Sequence, residues 1–374
     1  MTTSCISAIE GSVCQEVANA MNPTALMTVV MQESILKTHA RRIDIRPHST
    51  SKAYSARQDD FKQWCFQNSF ADGATVRGDK LHLFLEQQVI GRASKKRLRD
   101  GNITPRQVGK STVYGYTAAV VDLWRQQVAM GMNSHPNPRD SNVKLLLKNT
   151  EYETQHHRRV NFVDRGIGTR IDGYTTAEQI VKIAHAFWSK TRDQGQHLRN
   201  LCAFFVSHYA LLRGETVRQL DLSDMHSVLL ENEGISQCYA CVFVLRQGKM
   251  NQFGRNDFGA FIRSKEVRIC PFGVCAFYLF WRFHIENEAF PSFVTSRDWF
   301  EMKFLKSGKD PTKSIDYKTH KASIDSAFQQ IGLASKAKTH AARGSGARMA
   351  ELTGASEDQI RRLGRWNKQA MENC

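Results

Sequence analysis

The sequence predicts two mostly α-helical domains in series, the second carrying one small antiparallel β-hairpin. Three observations lead there. The chain has 374 residues, more than one hydrophobic core sustains, since cores rarely grow past ~250 to 300 residues. Apolar residues recur at steps of three and four over much of its length, which is the spacing of one helix face. In the second half, a run of β-formers from Cys238 to Leu245 is followed by a polar turn and a second such run, the pattern of a hairpin.

Composition limits the function classes. With 41% hydrophobic and 10% aromatic residues the chain is not a mostly disordered one, and no run reaches the ~20 apolar residues that cross a bilayer. The N-terminus lacks the basic start and apolar block of a secretory signal. Nine cysteines, scattered from Cys5 to Cys374, form no dense framework, so reduced thiols and the cytosol or nucleus are expected. Lys and Arg outnumber Asp and Glu by 52 to 36, for a net charge of +16. Such a field attracts a polyanion, and nucleic acid is the expected partner rather than a membrane.

Residues 1–48 show weak periodicity and read as an arm or extension. The first domain, 49–150, has four helical stretches. Tyr54, Phe61 and Trp64/Cys65 mark the first, and Leu81, Phe84/Leu85 and Val89 the second. Val113, Tyr116, Val120/Val121 and Trp124 mark the third, and Val143 to Leu147 a short fourth. Aromatics at this spacing face a core. Between the second and third helices lies a cationic stretch with Lys95, Lys96, Arg97 and Arg99, followed by Arg106 and Lys110. It suits a DNA backbone, and equally a solvated surface or a nuclear-import address. Residues 151–173 read as a basic linker, with Arg158 and Arg159 as further candidate phosphate contacts. His156 and His157 there lack a second Cys/His pair at ligand spacing.

The second domain, 174–374, opens with Thr175-Thr176-Ala177-Glu178, a capping-box pattern in which the glutamate reaches back to the cap. Leu198 to Leu212 is apolar enough to be buried nearly all round. The hairpin follows: a strand at Cys238 to Leu245, a turn, and a returning strand from Phe258 to Ile269. Helices are expected again at Val274 to Asn287, at Lys321 to Gln330 with Gly332 as C-cap, and at Gly344 to Leu352. The last runs from Glu357 to Leu363, with Ser356 as N-cap and Gly364 as stop. Cys238, Cys241, Cys270 and Cys275 invite a zinc site, but strand residues three apart face opposite sides, and no metal is expected.

The last forty residues narrow the function. His340 and Arg343 stand three apart at the start of a predicted helix, on one face, and Leu363-Gly364-Arg365-Trp366 follows a helix later. Upstream, Leu212-Arg213-Gly214-Glu215 ends a buried helix, with Leu220 seven and Asp224 eleven residues after Arg213. Lys249 lies in the predicted hairpin turn, with Arg255 and Lys265 as competitors for its role. These four boxes, in this order, resemble those of the tyrosine recombinases and phage integrases. One departure concerns how Arg213 is held: the acidic residue stands two positions after Arg213, and Thr216 occupies the usual third. The tail resembles that of fungal Crypton transposon recombinases and their centromere-binding relatives, in which G-R-W-N precedes a later C-Y.

The resemblance implies a helical core-binding domain followed by a tyrosine-recombinase catalytic domain, acting in DNA recombination and integration in the nucleus. Double-stranded DNA is the implied partner, with a homotetramer on paired sites or a monomer in solution, and no metal or nucleotide cofactor. Arg213 and Arg343 would fork the non-bridging oxygens of a phosphodiester. His340 would bond the same phosphate or handle a proton, Lys249 would protonate the leaving 5′-oxygen, and Trp366 would pack the site and donate its indole N–H. The family's tyrosine follows nine residues after the tryptophan, which is position 375, so the chain is read as stopping one residue short of its nucleophile, with Cys374 a poor substitute. The rival expectation is a catalytically inert DNA-binding protein of the same fold, and a weaker third is a relaxing enzyme of type IB topoisomerase kind.

Overall fold

The computed structural model describes all residues except 1–22, 94–106, 161–172, 234, 247–255, 334, 336 and 367–374. The chain divides into two compact units, 1–163 and 164–374, mostly helical, with a small three-stranded antiparallel sheet and a two-stranded one in the second.

The first unit contains α1 (Pro23–Ile45), α2 (His48–Gln67), α3 (Gly78–Phe84, continued by a π turn over Leu85–Val89), α4 (Lys110–Ala129) and α5 (Ser141–Val160). Its core is aromatic: Phe61 and Trp64 of α2 meet Phe84 at 5.2 and 5.4 Å between ring centroids, and Phe84 meets Tyr116 of α4 at 5.9 Å. A buried polar knot ties α1 and α2 to α4. Arg46, between the two helices, forks the carboxylate of Asp122 at 2.9 and 2.5 Å, and Gln58 donates to Asp122 and to the Ala119 carbonyl. Pairing the carboxylate this fully is what lets it stay buried.

Two segments depart from expectation. Residues 23–45, inside the segment read as an arm without assigned fold, form α1. Its Met27, Val30, Met31, Ile35 and Leu36 are all exposed, so they leave no one-sided pattern to read. Residues 151–160 of the segment read as a basic linker are helical, because α5 continues from the short predicted helix through Val160. Beyond Thr150 no described side chain of this helix is buried, and the pairing of Glu151 with Lys110 of α4 at 2.6 Å takes the place of an apolar contact.

The second unit runs α6 (Ala177–Trp188), α7 (Gln194–Tyr209), α8 (Gly214–Gln219), β1 (Met225–Leu230), β2 (Cys238–Leu245), β3 (Asp257–Ile262), α9 (Pro271–Phe280, continued by a π turn over Trp281–Ile285), β4 (Lys306–Ser307), β5 (Asp310–Ser314), α10 (Tyr317–Gln330), α11 (Ala341–Leu352) and α12 (Glu357–Gly364). Every residue from Leu198 to His208 on α7 is buried, as its apolar composition requires. Around α7 pack Ile183 of α6, Phe243 and Phe261 of the sheet, Tyr278 of α9, Phe328 of α10 and Ala342 of α11. The sheet has the order β1-β2-β3. Met225 pairs with Phe243 and Leu245 with Asp257, so the 246–256 connection sits at one end of the sheet.

Several boundaries shift for local reasons. The α7 helix ends at Tyr209 instead of Leu212, because Leu211 takes a left-handed φ of 48°. The reciprocal cap on α6 uses Thr176 and Gln179, not Glu178. Strand β3 stops at Ile262, and the rest of the expected strand becomes a loop and a 3-10 turn over Val267–Ile269, capped by Glu266. Ser356 caps α12 as expected, but Gly364 is its last residue and Arg365, at φ 56°, is the stop. The four cysteines considered for zinc are buried thiols, and among the described residues no group of three or more His, Cys, Asp or Glu could hold a metal.

Two histidines make this unit sensitive to acid. His208 accepts or shares a hydrogen bond with the Tyr174 hydroxyl at 2.8 Å, and burial pushes its pKa down to about 4. Burial also brings the fully enclosed His320 to about 4. An unfolded histidine titrates near ~6.5, so the unfolded chain binds more protons than the folded one between that pH and about 4. Stability is therefore fully present above pH ~6.5 and is lost as pH falls toward the folded value. Urea unfolding of His208→Gln should show an acid-induced loss between pH 7 and 4.5 smaller than that of the parent by about 2 to 3 kcal/mol. Equal losses would mean that His208 is protonated in the folded protein.

Candidate functional site

The site of the second unit is assembled at the end of α7. After the left-handed Leu211 and the fully buried Leu212, Arg213 takes the N-cap position of α8 with φ −72° and ψ 145°. Gly214 then lies against the 3-10 turn Lys338–His340. A β-carbon on it would come within 2.7 Å of Thr339 Cβ and 2.8 Å of its hydroxyl. Only a residue without a side chain allows this approach, and it brings the arginine of the first box beside the histidine of the second.

His340 caps α11, which carries Arg343 one turn on. Arg343 is only 5% exposed. Its Nη2 donates to the Gly364 carbonyl, and its guanidinium carbon sits 4.5 Å from the centre of the Trp366 ring. The indole folds back over Gly364 so closely that a β-carbon there would lie 2.1 Å from two ring carbons. Trp366 thus holds Arg343 by stacking. His340 is exposed at the surface, and its pKa is lowered first by partial burial of the ring and then by the positive charges of Arg343, Arg213 and Arg218. The imidazole is accordingly biased toward its neutral form, able to accept a proton or a hydrogen bond.

Among the described residues no carboxylate lies within ion-pair distance of Arg213, and Glu215, the displaced acidic residue of the first box, is exposed. Asp224 instead accepts the Asp221 N–H at 3.0 Å and faces Arg246 at 3.7 Å, which fixes the end of β2 where the 246–256 connection leaves it. The expected general acid Lys249 and its competitor Arg255 lie outside the described residues. Lys265 is exposed beyond the far end of β3, away from that connection.

Arg365 belongs to this site, and sequence reasoning gave it no role. Its Nη1 donates to the Phe258 carbonyl of β3 at 2.8 Å, and its Nη2 to the carbonyls of Ala210 and Leu211 at 3.2 and 2.9 Å. Burial lowers its pKa to about 10, Asp257 opposes that, and Arg213 adds to it. One guanidinium therefore joins the tail box, the hairpin and the residues just before Arg213. The only signal in the sequence was its place between Gly364 and Trp366.

The candidate DNA contacts belong to the first unit. Lys95, Lys96, Arg97, Arg99 and Arg106 lie outside the described residues, as does the side chain of Arg158. Arg159 is exposed on the last turn of α5, while Lys110 is paired with Glu151. Arg92, which opens the cationic stretch, donates to the Tyr116 hydroxyl at 2.9 Å and stacks on that ring.

With this geometry in hand, the comparisons place the chain in a family. The family model described as "Centromere DNA-binding protein complex CBF3 subunit, domain 2" matches residues 127–374, and the chain belongs to that family. No curated protein matches it. Among solved structures, the XerH site-specific recombinase bound to difH is similar at 13% identity and a TM-score of 0.40, covering 75% of this chain and 71% of that one. The Flpe–Holliday junction complex is similar at 11% identity and 0.40, covering 91% and 81%. Ndc10, a platform for inner kinetochore assembly in budding yeast, is similar at 12% identity and 0.33, covering 88% and 77%.

The role of Arg365 can be measured. Arg365→Met leaves three carbonyls without their donor and should destabilise the second unit by about 3 kcal/mol in urea unfolding. Arg362→Met, at an exposed position of α12, the helix that Arg365 ends, should change stability by less than about 0.5 kcal/mol. Equal effects would show that water serves those carbonyls as well as Arg365 does.

Proposed function

We propose that the chain binds double-stranded DNA and holds one phosphodiester among Arg213, His340 and Arg343, as the catalytic body of a Crypton-like site-specific DNA recombinase. The observation that carries this reading is the convergence, within one unit, of Arg213 from the start of α8 with His340 and Arg343 from the start of α11, both guanidinium charges acting on the neutral-biased His340 ring. Two guanidinium forks neutralise the non-bridging oxygens as negative charge develops on them. A tyrosine hydroxyl passes its proton to the His340 ring as its oxygen attacks phosphorus in line, the 5′-oxygen leaves with a proton from Lys249, and a 3′-phosphotyrosyl ester remains for a second strand's 5′-hydroxyl to reverse. That tyrosine is the one the family resemblance sets nine residues after Trp366. Such chemistry acts in the nucleus, on paired sites held by four protomers.

A second reading, a DNA-binding scaffold without chemistry, is favoured by the family's own description as a centromere DNA-binding subunit. The two separate without the tyrosine. A phosphodiester cradle also accepts a small nucleophile, so duplex DNA incubated with this chain and hydrogen peroxide should be cleaved to a 5′-hydroxyl end and a 3′-peroxyphosphate, from which water releases the peroxide to leave a 3′-phosphate. Arg343→Ala should slow that cleavage by roughly 10²- to 10³-fold. Duplex that is bound but stays intact at every peroxide concentration would leave the scaffold reading standing and remove the enzymatic one.

A further inference from the structure

We propose that Arg218 forms a second phosphate subsite beside the first, taking the neighbouring phosphodiester of the same DNA strand, with His320 as its positioning residue. This rests on the reading of Arg213, His340 and Arg343 as a phosphate cradle.

Arg218 stands five residues after Arg213, or about 7.5 Å along the axis of α8. Its guanidinium turns toward α10: Nη1 donates to His320 Nδ1 at 3.4 Å, and the guanidinium carbon lies 5.5 Å from the centre of the Tyr317 ring. His320 is 0% exposed. Arg218 is half-buried, yet among the described residues no carboxylate comes within ion-pair distance of it, and Glu215 and Asp316 act on it only from farther off. A half-buried cation is ordinarily matched by an anion. Here no such anion stands within ion-pair distance among the described residues.

The choice of partner explains why. A carboxylate facing Arg218 would orient it and cancel its charge, whereas a neutral imidazole orients it and leaves the charge intact. His320 must be neutral there, since a protonated ring would set two cations against each other, and its pKa of about 4 agrees. With Nδ1 accepting from Arg218, the ring proton resides on Nε2, which is buried without a partner among the described residues. The fold accepts that cost beside the cradle: His340 feels the charges of both Arg213 and Arg218, and His320 feels those of Arg218 and His340. The arrangement preserves positive charge at a second point along the strand.

The test is the salt dependence of duplex DNA binding by the whole chain, followed by fluorescence anisotropy, with each variant's folding checked by thermal melting. Removing one cation that neutralises a phosphate reduces the slope of log K against log salt by ~0.9. Arg218→Gln and Arg213→Gln should each reduce it by ~0.9 and the double variant by ~1.8, while Arg218→Lys keeps the parent slope. His320→Asp should act like Arg218→Gln by cancelling the charge, and His320→Gln should not. An unchanged slope in Arg218→Gln, or a double variant no different from either single one, would overturn the second subsite while leaving the first intact. If Arg213→Gln also leaves the slope unchanged, the cradle itself fails and this subsite with it.

Discussion

The second unit depends on a single guanidinium. Helix α7 is buried on all sides and ends inside the protein, so its last carbonyls cannot turn to water. Arg365 reaches them from the far end of the chain, donating to Ala210, Leu211 and, on the neighbouring strand, Phe258. A left-handed Leu211 turns the chain sharply enough to expose these carbonyls to one donor. The result is that Arg213, the base of β3 and Trp366 are fixed relative to one another by hydrogen bonds to backbone, which side-chain substitution nearby does not alter. Gly214 and Gly364 complete the assembly by allowing Thr339 and the Trp366 indole to approach where a β-carbon would block them.

This framework carries an electrostatic cost that the fold meets in an unusual way. Arg213, Arg218 and Arg343 all act on His340, and Arg365 acts on Arg213; ion pairs would be the ordinary remedy for such crowding. Elsewhere in the unit that remedy is used in full: the fully buried Arg282 forks Glu288, which also receives Lys306 at 2.7 Å. Around His340 the contacts of these arginines include carbonyl oxygens, an indole face and a neutral imidazole. All of these orient a cation without cancelling it.

How much of this was legible in the sequence follows from how local each feature is. Helix α7 could be read because it is apolar on every side, and β2 because its alternation is dense. The boxes around Arg213, His340 and Arg343 could be read because their spacing fixes which residues share a helix face or cap. Strand β1 could not, since an edge strand with mostly exposed side chains has no alternation to betray it. Helix α5 past Thr150 was hidden for the same reason, its outer turns packing on nothing apolar. Arg365 and Arg218 were invisible for another reason: their hydrogen-bond partners lie more than a hundred residues away in sequence, and an arginine's type says nothing of what it will reach.

The contrast between a binding face and a reaction site bears on which function this geometry suits. A protein that only grips DNA gains from cations at its surface, where long side chains find phosphates at little cost and their loss is spread over many contacts. Arg159 on α5 is of that kind. Arg343 is not: it is 5% exposed, and its guanidinium plane is fixed by the Trp366 ring on one side and the Gly364 carbonyl at its edge. Burial removes the water that would otherwise weaken its field, and fixing the plane removes the reorganisation that a mobile side chain would need as charge develops. Both properties add little to equilibrium affinity for a phosphate that could be met at the surface. They matter where charge builds up transiently on that phosphate, and it is this asymmetry, more than the number of cations, that the proposed chemistry would draw on.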